Sequence, residues 1–317
     1  QVISDIHAEW LCSKGAEFDD YLAEVYDGAG TVAVLAGDIG QVGDHSWERA
    51  VQAAASVYAH VVVVPGNHEY YRVQGEKELG MAECDARMED VCASLPNVHL
   101  LNKTSVVIEG VRFSGCTLWS ALGEDSHAPH FLRDFEAIPD FDKRIHTREG
   151  TAQAYLAVHN EHRAYIESVL SEPPSTPTHP HVVVTHHGPL LAMNTKESVY
   201  NLSDGFVSDL SGIINSDRVC LWVSGHTHQR IQTRCNGSLS ISNCHGYPGY
   251  QDTRGYQSVV VEVPSPEEEW LDTIDPSAPR AECVTWYPDK SEEDMPISIV
   301  SSLSVGEVEK GSRCSLV

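Results

Sequence analysis

No apolar run in this sequence approaches the roughly 20 residues that cross a bilayer. The longest candidates are strand cores of four to six residues, such as Val61 to Pro65, so no membrane span is expected. Positive charge is equally scarce. Lys and Arg together number 21 against 46 Asp and Glu, a formal net charge of −25, and a surface of that balance repels polyanions. Long nucleic acids are therefore poor partners. A small anionic substrate stays open, because salt screens distant carboxylates over about 8 Å and bound cations dominate their local field.

A cysteine framework is missing too. Nine cysteines make an odd count, and none stands in a C-x-x-C pair. Buried free thiols in a reducing compartment are the expectation, which points to the cytoplasm. The chain opens at Gln1, almost inside its first strand, so an upstream segment is expected to precede it. Cys314-Ser315-Leu316-Val317 has the outline of a prenylation box, but Val is atypical at its end and no polybasic stretch precedes it, so it is read as chance. No repeat is visible, and the oligomeric state is left open.

What the chain does have is five short polar clusters, each placed directly after a run that reads as a buried strand. They are Asp5-Ile6-His7, Gly37-Asp38, Gly66-Asn67-His68-Glu69, His186-His187 and Gly225-His226-Thr227-His228. The runs before them are Val2-Ile3-Ser4, Thr31 to Ala36, Val61 to Pro65, Val182 to Thr185 and Leu221 to Ser224, short and rich in β-branched residues, as strands covered on both faces must be. Ligands of such sheets collect outside the carboxyl ends of the strands. The five tips are thus expected to meet in one crevice.

Strands alternate with helical patterns through the first hundred residues, the signature of an α/β layer structure. The spacing of Trp47, Ala50, Val51, Ala54 and Val57 predicts a helix capped by Asp44 or Ser46. Further helices are predicted over 74–95, along the face Tyr155, Val158, His162, Tyr165, Ile166 and Val169, and around Phe206, Leu210, Ile213 and Ile214. Glu109-Gly110 and Asn236-Gly237 predict hairpin turns, and Ser258 to Val263 a closing strand. Residues 1–263 read as one domain and 264–317 as an acidic, largely irregular tail with Glu267-Glu268-Glu269 and Glu292-Glu293-Asp294. The patternless stretch 118–150 is long for a connection. Trp119, Arg133 and Arg144 within it, with Tyr247 further on, could ring the crevice.

The residue types in the clusters suit a pair of divalent cations, which can activate water and neutralise a phosphoryl group. Asp38, alone at its tip, can bridge both ions through its two carboxylate oxygens. Asp5 and His7, two apart on an extended strand end, should face one way and clamp one ion. Asn67 offers a neutral oxygen to the second ion, while His186, His226 and His228 supply nitrogens. The last two could serve different ions if the backbone turns after Gly225. Mixed oxygen and nitrogen donors favour Mn, Fe or Zn over Ca or Mg. His68, beside a ligand, fits a general acid or transition-state stabiliser. Glu69 could fix a neighbouring imidazole, or lie at the surface.

Together these clusters resemble the calcineurin-like metallophosphoesterase superfamily, whose pattern is Asp-x-His, Gly-Asp, Gly-Asn-His-Asp/Glu, a lone His after an apolar strand, and Gly-His-x-His. Every element stands between residues 5 and 228 with no ligand substituted. The resemblance implies a four-layer α/β/β/α sandwich of two mixed β-sheets flanked by helices. It assigns Asp5, His7, Asp38 and His228 to one metal, and Asp38, Asn67, His186 and His226 to the other, with His68 catalytic and His187 substrate-facing or structural. The run Val182 to Pro189 resembles small bacterial-type members of unassigned substrate.

Two departures narrow the reading. Gly37-Asp38-Ile39-Gly40-Gln41-Val42-Gly43 lacks the Asp-Arg-Gly extension of protein Ser/Thr phosphatases, and Gln41 stands where purple acid phosphatases use tyrosine. The expected function is metal-dependent hydrolysis of a phosphomonoester or phosphodiester in a small molecule. The alternative is a non-catalytic member of the fold that binds proteins, although such relatives usually lose ligands that are all kept here.

Overall fold

A computed structural model describes residues 1–172, 179–196, 202–215, 217–250 and 253–263; the tail 264–317, the prenylation-like box and Pro173-Pro174 lie outside the described residues. Four parallel strands, β1 (Val2–Ile3), β2 (Val32–Ala36), β3 (His60–Val64) and β4 (Val98–Leu100), pair in chain order. A second, mixed sheet holds β5 (Thr104–Ile108), β6 (Val111–Cys116), β7 (His181–Thr185), β8 (Leu221–Ser224), β9 (Arg230–Cys235) and β10 (Ser238–Asn243), in the order β5-β6-β7-β8-β10-β9. Its two outer pairs are antiparallel hairpins and its inner pairs parallel. Both hairpins turn where expected: Glu109, Gly110, Asn236 and Gly237 all take positive φ, as the tight turns that match strand twist demand.

The valine runs explain the layering. In β3, Val61 and Val63 face a core shared with α1 (Ala16–Val25), α2 (Ser46–Val57) and α3 (Met81–Ala93), while Val62 and Val64 face the other sheet. In β7, Val182 and Val184 meet them across the sheet interface, and Val183 turns outward to Trp222, Ile166 and Leu170. Strand side chains alternate faces, so a strand buried on both must be apolar at every position. Each such valine, once fully buried, contributes about 1.5–3 kcal/mol. The long helix beyond the second sheet follows the short α4 (Ala128–Phe131) and α5 (Asp134–Ala137), and is α6 (Arg148–Ser171). The result is the expected α/β/β/α sandwich. Among the described residues no helix is long and apolar enough to cross a membrane.

Three expectations fail locally. The helix predicted from 74 begins only at Met81, because Gly75 sits at φ 88, outside the right-handed region; Glu83 then accepts the Gly80 N–H at 3.3 Å. Phe206 to Ile214 forms turns. Val207, Leu210 and Ile214 are buried, but the backbone is drawn into tertiary bonds, with Val207 bridged to Gly188 and the Leu210 N–H donating to the Pro189 carbonyl at 2.9 Å. Ser258 to Val263 forms no strand and meets the first sheet at the single antiparallel bridge Val2 to Val259. The N-cap position of α2 is taken by His45, without a side-chain cap bond, and Asp44 before it accepts the Ser46 N–H at 2.9 Å. His162 is structural, accepting the Leu118 N–H at 3.1 Å. All seven described cysteines are free.

Candidate metal centre

The carboxyl ends of β1, β2, β7 and β8 are zipped together by main-chain bonds. Asp5 N–H donates to Gly37 O at 3.0 Å, His7 N–H to Asp38 O at 3.0 Å, and Gly225 N–H to His186 O at 2.9 Å. β3 is tied in by Glu69, which is fully buried and accepts the N–H groups of Asp38 (3.1 Å), Ile39 (2.9 Å) and Gly66 (2.8 Å). Glu69 is therefore neither a surface carboxylate nor a partner of an imidazole. It clamps two loops by satisfying buried donors that would otherwise cost about 1–3 kcal/mol each.

The tips are bent rather than extended. Asp5 (φ 54), His7 (φ 47), Asp38 (φ 54), His226 (φ 66) and His228 (φ 50) all lie in the left-handed region, where non-glycine residues are uncommon and strain tends to mark function. So Asp5 and His7 converge through a bend, not through strand alternation. The same bending separates the last pair: His228 joins Asp5 and His7, and His226 joins Asp38 and His186, each triad with ligand atoms within 4.8 Å of one another. Close approach also explains two glycines. A Cβ on Gly66 would overlap Asp38 Oδ1, and one on Gly225 would come within 2.5 Å of Asp5 Oδ2.

Asp38 stands between the triads. Its Oδ2 lies 3.8 Å from His7 Nε2 and its Oδ1 3.3 Å from His186 Nε2. His7 Nε2 and His228 Nε2 approach to 3.0 Å, with Asp5 Oδ1 3.6 Å from His228. Asn67 Oδ1 is 3.0 Å from His186 Nε2. Partners on the far side fix which atoms face inward. His186 Nδ1 donates to Ala36 O at 2.8 Å, leaving Nε2 as donor to a metal, and His226 Nε2 lies 3.3 Å from Gly205 O, leaving Nδ1.

Sequence reasoning missed three groups at this centre and placed a fourth only at its rim. Glu9 Oε1 sits 3.1 Å from His7 Nδ1 and 2.9 Å from His68 Nδ1, orienting a candidate ligand and the catalytic candidate together. Asp134 accepts from Asn67 Nδ2 at 2.7 Å and from the Tyr71 hydroxyl at 2.6 Å, which turns the Asn67 carbonyl oxygen toward His186. Tyr71 stacks on His68 at 4.1 Å, and Tyr247, named above only as a possible rim residue, stacks on His7 at 4.0 Å. Glu9 could have been flagged by its spacing from His7. Asp134 and Tyr71 carry no local signal. Trp119, by contrast, is core, packed on Phe141 and Tyr155. Arg144 is paired with Asp142 at 2.7 Å. His187 is fully buried, 4.0 Å from the His226 ring, and structural.

The electrostatics fit bound cations. Burial alone would lower His186, but Asp38 and Asp5 outweigh it and raise its imidazole to about 10. Burial likewise opposes His68, which Asp38 and Glu9 raise to about 9. Burial, then His186, pushes His226 down to about 3. Buried Asp5 and Asp38 thus draw protons onto neighbouring imidazoles, and divalent ions can take the place of that charge on deprotonated ligands. The donor set of carboxylate, amide oxygen and imidazole suits the same ions.

Comparison with known proteins agrees. The uncharacterised protein L509 of Acanthamoeba polyphaga mimivirus is 28% identical over 258 residues, 77% of this chain and 90% of the viral one. The crystal structure of the phosphopantetheinyl hydrolase PptH from Mycobacterium tuberculosis superposes with a TM-score of 0.60 at 18% identity, covering 80% of this chain and 91% of its own. The family model for calcineurin-like phosphoesterases matches residues 2–230. With that match across the five motifs and the sandwich beneath them, the chain belongs to the calcineurin-like phosphoesterase family.

Proposed function

We propose that residues 1–263 hydrolyse a phosphomonoester or phosphodiester bond in a small molecule, using two divalent cations drawn from Mn, Fe or Zn. Asp5, His7, Asp38 and His228 would hold one ion, and Asp38, Asn67, His186 and His226 the other. The observation that carries this reading is the Asp38 carboxylate, whose two oxygens face different ligand histidines. When bound, such a pair neutralises phosphoryl charge and makes water acidic enough to serve as a nucleophile near neutral pH. His68, with Nδ1 pinned by Glu9, turns Nε2 toward the crevice, where the Tyr247 hydroxyl lies 3.3 Å away. From there it can give a proton to the departing alkoxide.

Arg133 is the candidate for drawing in the anion. It is exposed, has no carboxylate partner among the described residues, and its guanidinium carbon lies 5.7 Å from the centre of the Tyr71 ring that stacks on His68. Arg133→Ala should raise KM about tenfold with kcat and metal content little changed, as expected for one charge-assisted contact. Steady-state kinetics with elemental analysis decides it, and an unchanged KM removes Arg133 from the site. The reading as a whole is tested by screening phosphate mono- and diesters against the Mn and Zn forms. Silence on every ester from acidic to alkaline pH would favour the non-catalytic alternative.

A further inference from the structure

Two aromatic rings at the mouth of the crevice, Trp10 and Tyr250, have no role in the chemistry above, and they adjoin a third, Tyr247. Trp10 and Tyr250 are 46% and 54% exposed. Their ring centres lie 5.5 Å apart, edge to face, and stand 5.3 Å and 5.9 Å from Tyr247. Tyr247 in turn stacks on His7, and its hydroxyl reaches His68. The rings are therefore one continuous surface that begins at a candidate metal ligand and the general acid and runs outward to solvent. A group protonated by His68 leaves alongside it.

Resting on the phosphoesterase reading, we propose that Trp10, Tyr247 and Tyr250 form a stacking shelf for the leaving group. The substrate class is then phosphate esters whose alcohol carries a planar aromatic or heteroaromatic ring. Large exposed aromatics side by side mark binding surfaces more than folding needs, and a π-face beside a polar reaction centre suits a ligand with one charged end and one flat end. A protein partner fits less well. Three side chains present far less than the roughly 800 Å² per partner of a specific interface.

The test uses a matched pair that cannot be hydrolysed, the methylene phosphonate analogues of adenosine 5′-phosphate and ribose 5-phosphate, titrated calorimetrically into the Mn-loaded full chain. The two differ in the base, which an anomeric hydroxyl replaces in the ribose compound. Wild type should bind the adenosine compound about tenfold or more tightly, within the range of one base on an aromatic side chain. Trp10→Ala should bring the ratio near one while the ribose compound binds as before, and Trp10→Phe should keep most of the preference. Tyr250→Ala is the second probe if the first variant folds poorly. Equal binding of the pair by wild type, or a ratio untouched in both alanine variants, overturns the shelf. Because the readout is binding, it stands apart from turnover: a protein that prefers the adenosine compound yet cleaves no ester keeps the shelf and loses the hydrolase.

Discussion

Alanine at position 38 is expected to leave a folded protein that neither retains its divalent cations nor cleaves a phosphate ester. Asp38 is almost fully buried, its two oxygens face His7 and His186, and its Oδ1 also accepts the His68 N–H at 2.9 Å. Removing it takes the shared ligand from both proposed ions at once, and with them several kcal/mol of transition-state charge stabilisation. Turnover should fall by more than about a thousandfold. Chelator should lower the wild-type melting temperature by removing an ion that binds only the folded state, while the Asp38→Ala protein, already empty, should melt at one temperature with or without it. Elemental analysis supplies the direct readout. A variant that keeps two equivalents of metal would end the case for a bridging carboxylate.

His68→Ala should separate catalysis from metal binding. The side chain belongs to neither proposed ligand set, although it lies within 4.8 Å of His7 and Asp38 ligand atoms; Glu9 and Tyr71 hold it, so metal content should stay at the wild-type level. Turnover should drop by about 10²–10⁴, the usual contribution of a positioned acid. The role as acid makes a sharper demand. An alkyl ester, whose alkoxide needs a proton to depart, should lose far more rate than a nitrophenyl ester, whose leaving group does not. If both esters slow by the same factor, His68 acts on the phosphoryl oxygens instead, and the assignment as proton donor is wrong.

Strand and site were legible in the sequence for one shared reason. A parallel strand covered on both faces has no polar position until it ends, so Val61 to Val64 and Val182 to Val184 announce both the strand and the place where polar chemistry begins. Helical spacing was less dependable. Phe206, Leu210 and Ile214 have the right interval, and Leu210 and Ile214 are buried as a helix face would be, yet the loop at Gly188 and Pro189 takes up backbone hydrogen bonds of Phe206, Ser208 and Leu210. Apolar period reports what is buried, not how the main chain is paired.

By itself the sequence determined the family motif set, the order of the tips and the identities of the proposed ligands, because those depend on residue type and on position relative to a strand end. Only the tertiary structure decided how the tips bend, which candidate side chains stand together, and that Glu9, Asp134 and Tyr247 contact them. Apart from Glu9 on His7, those contacts join residues far apart along the chain. They are fixed by left-handed turns and hydrogen bonds between loops of different strands, and such geometry leaves no periodic trace in any one segment.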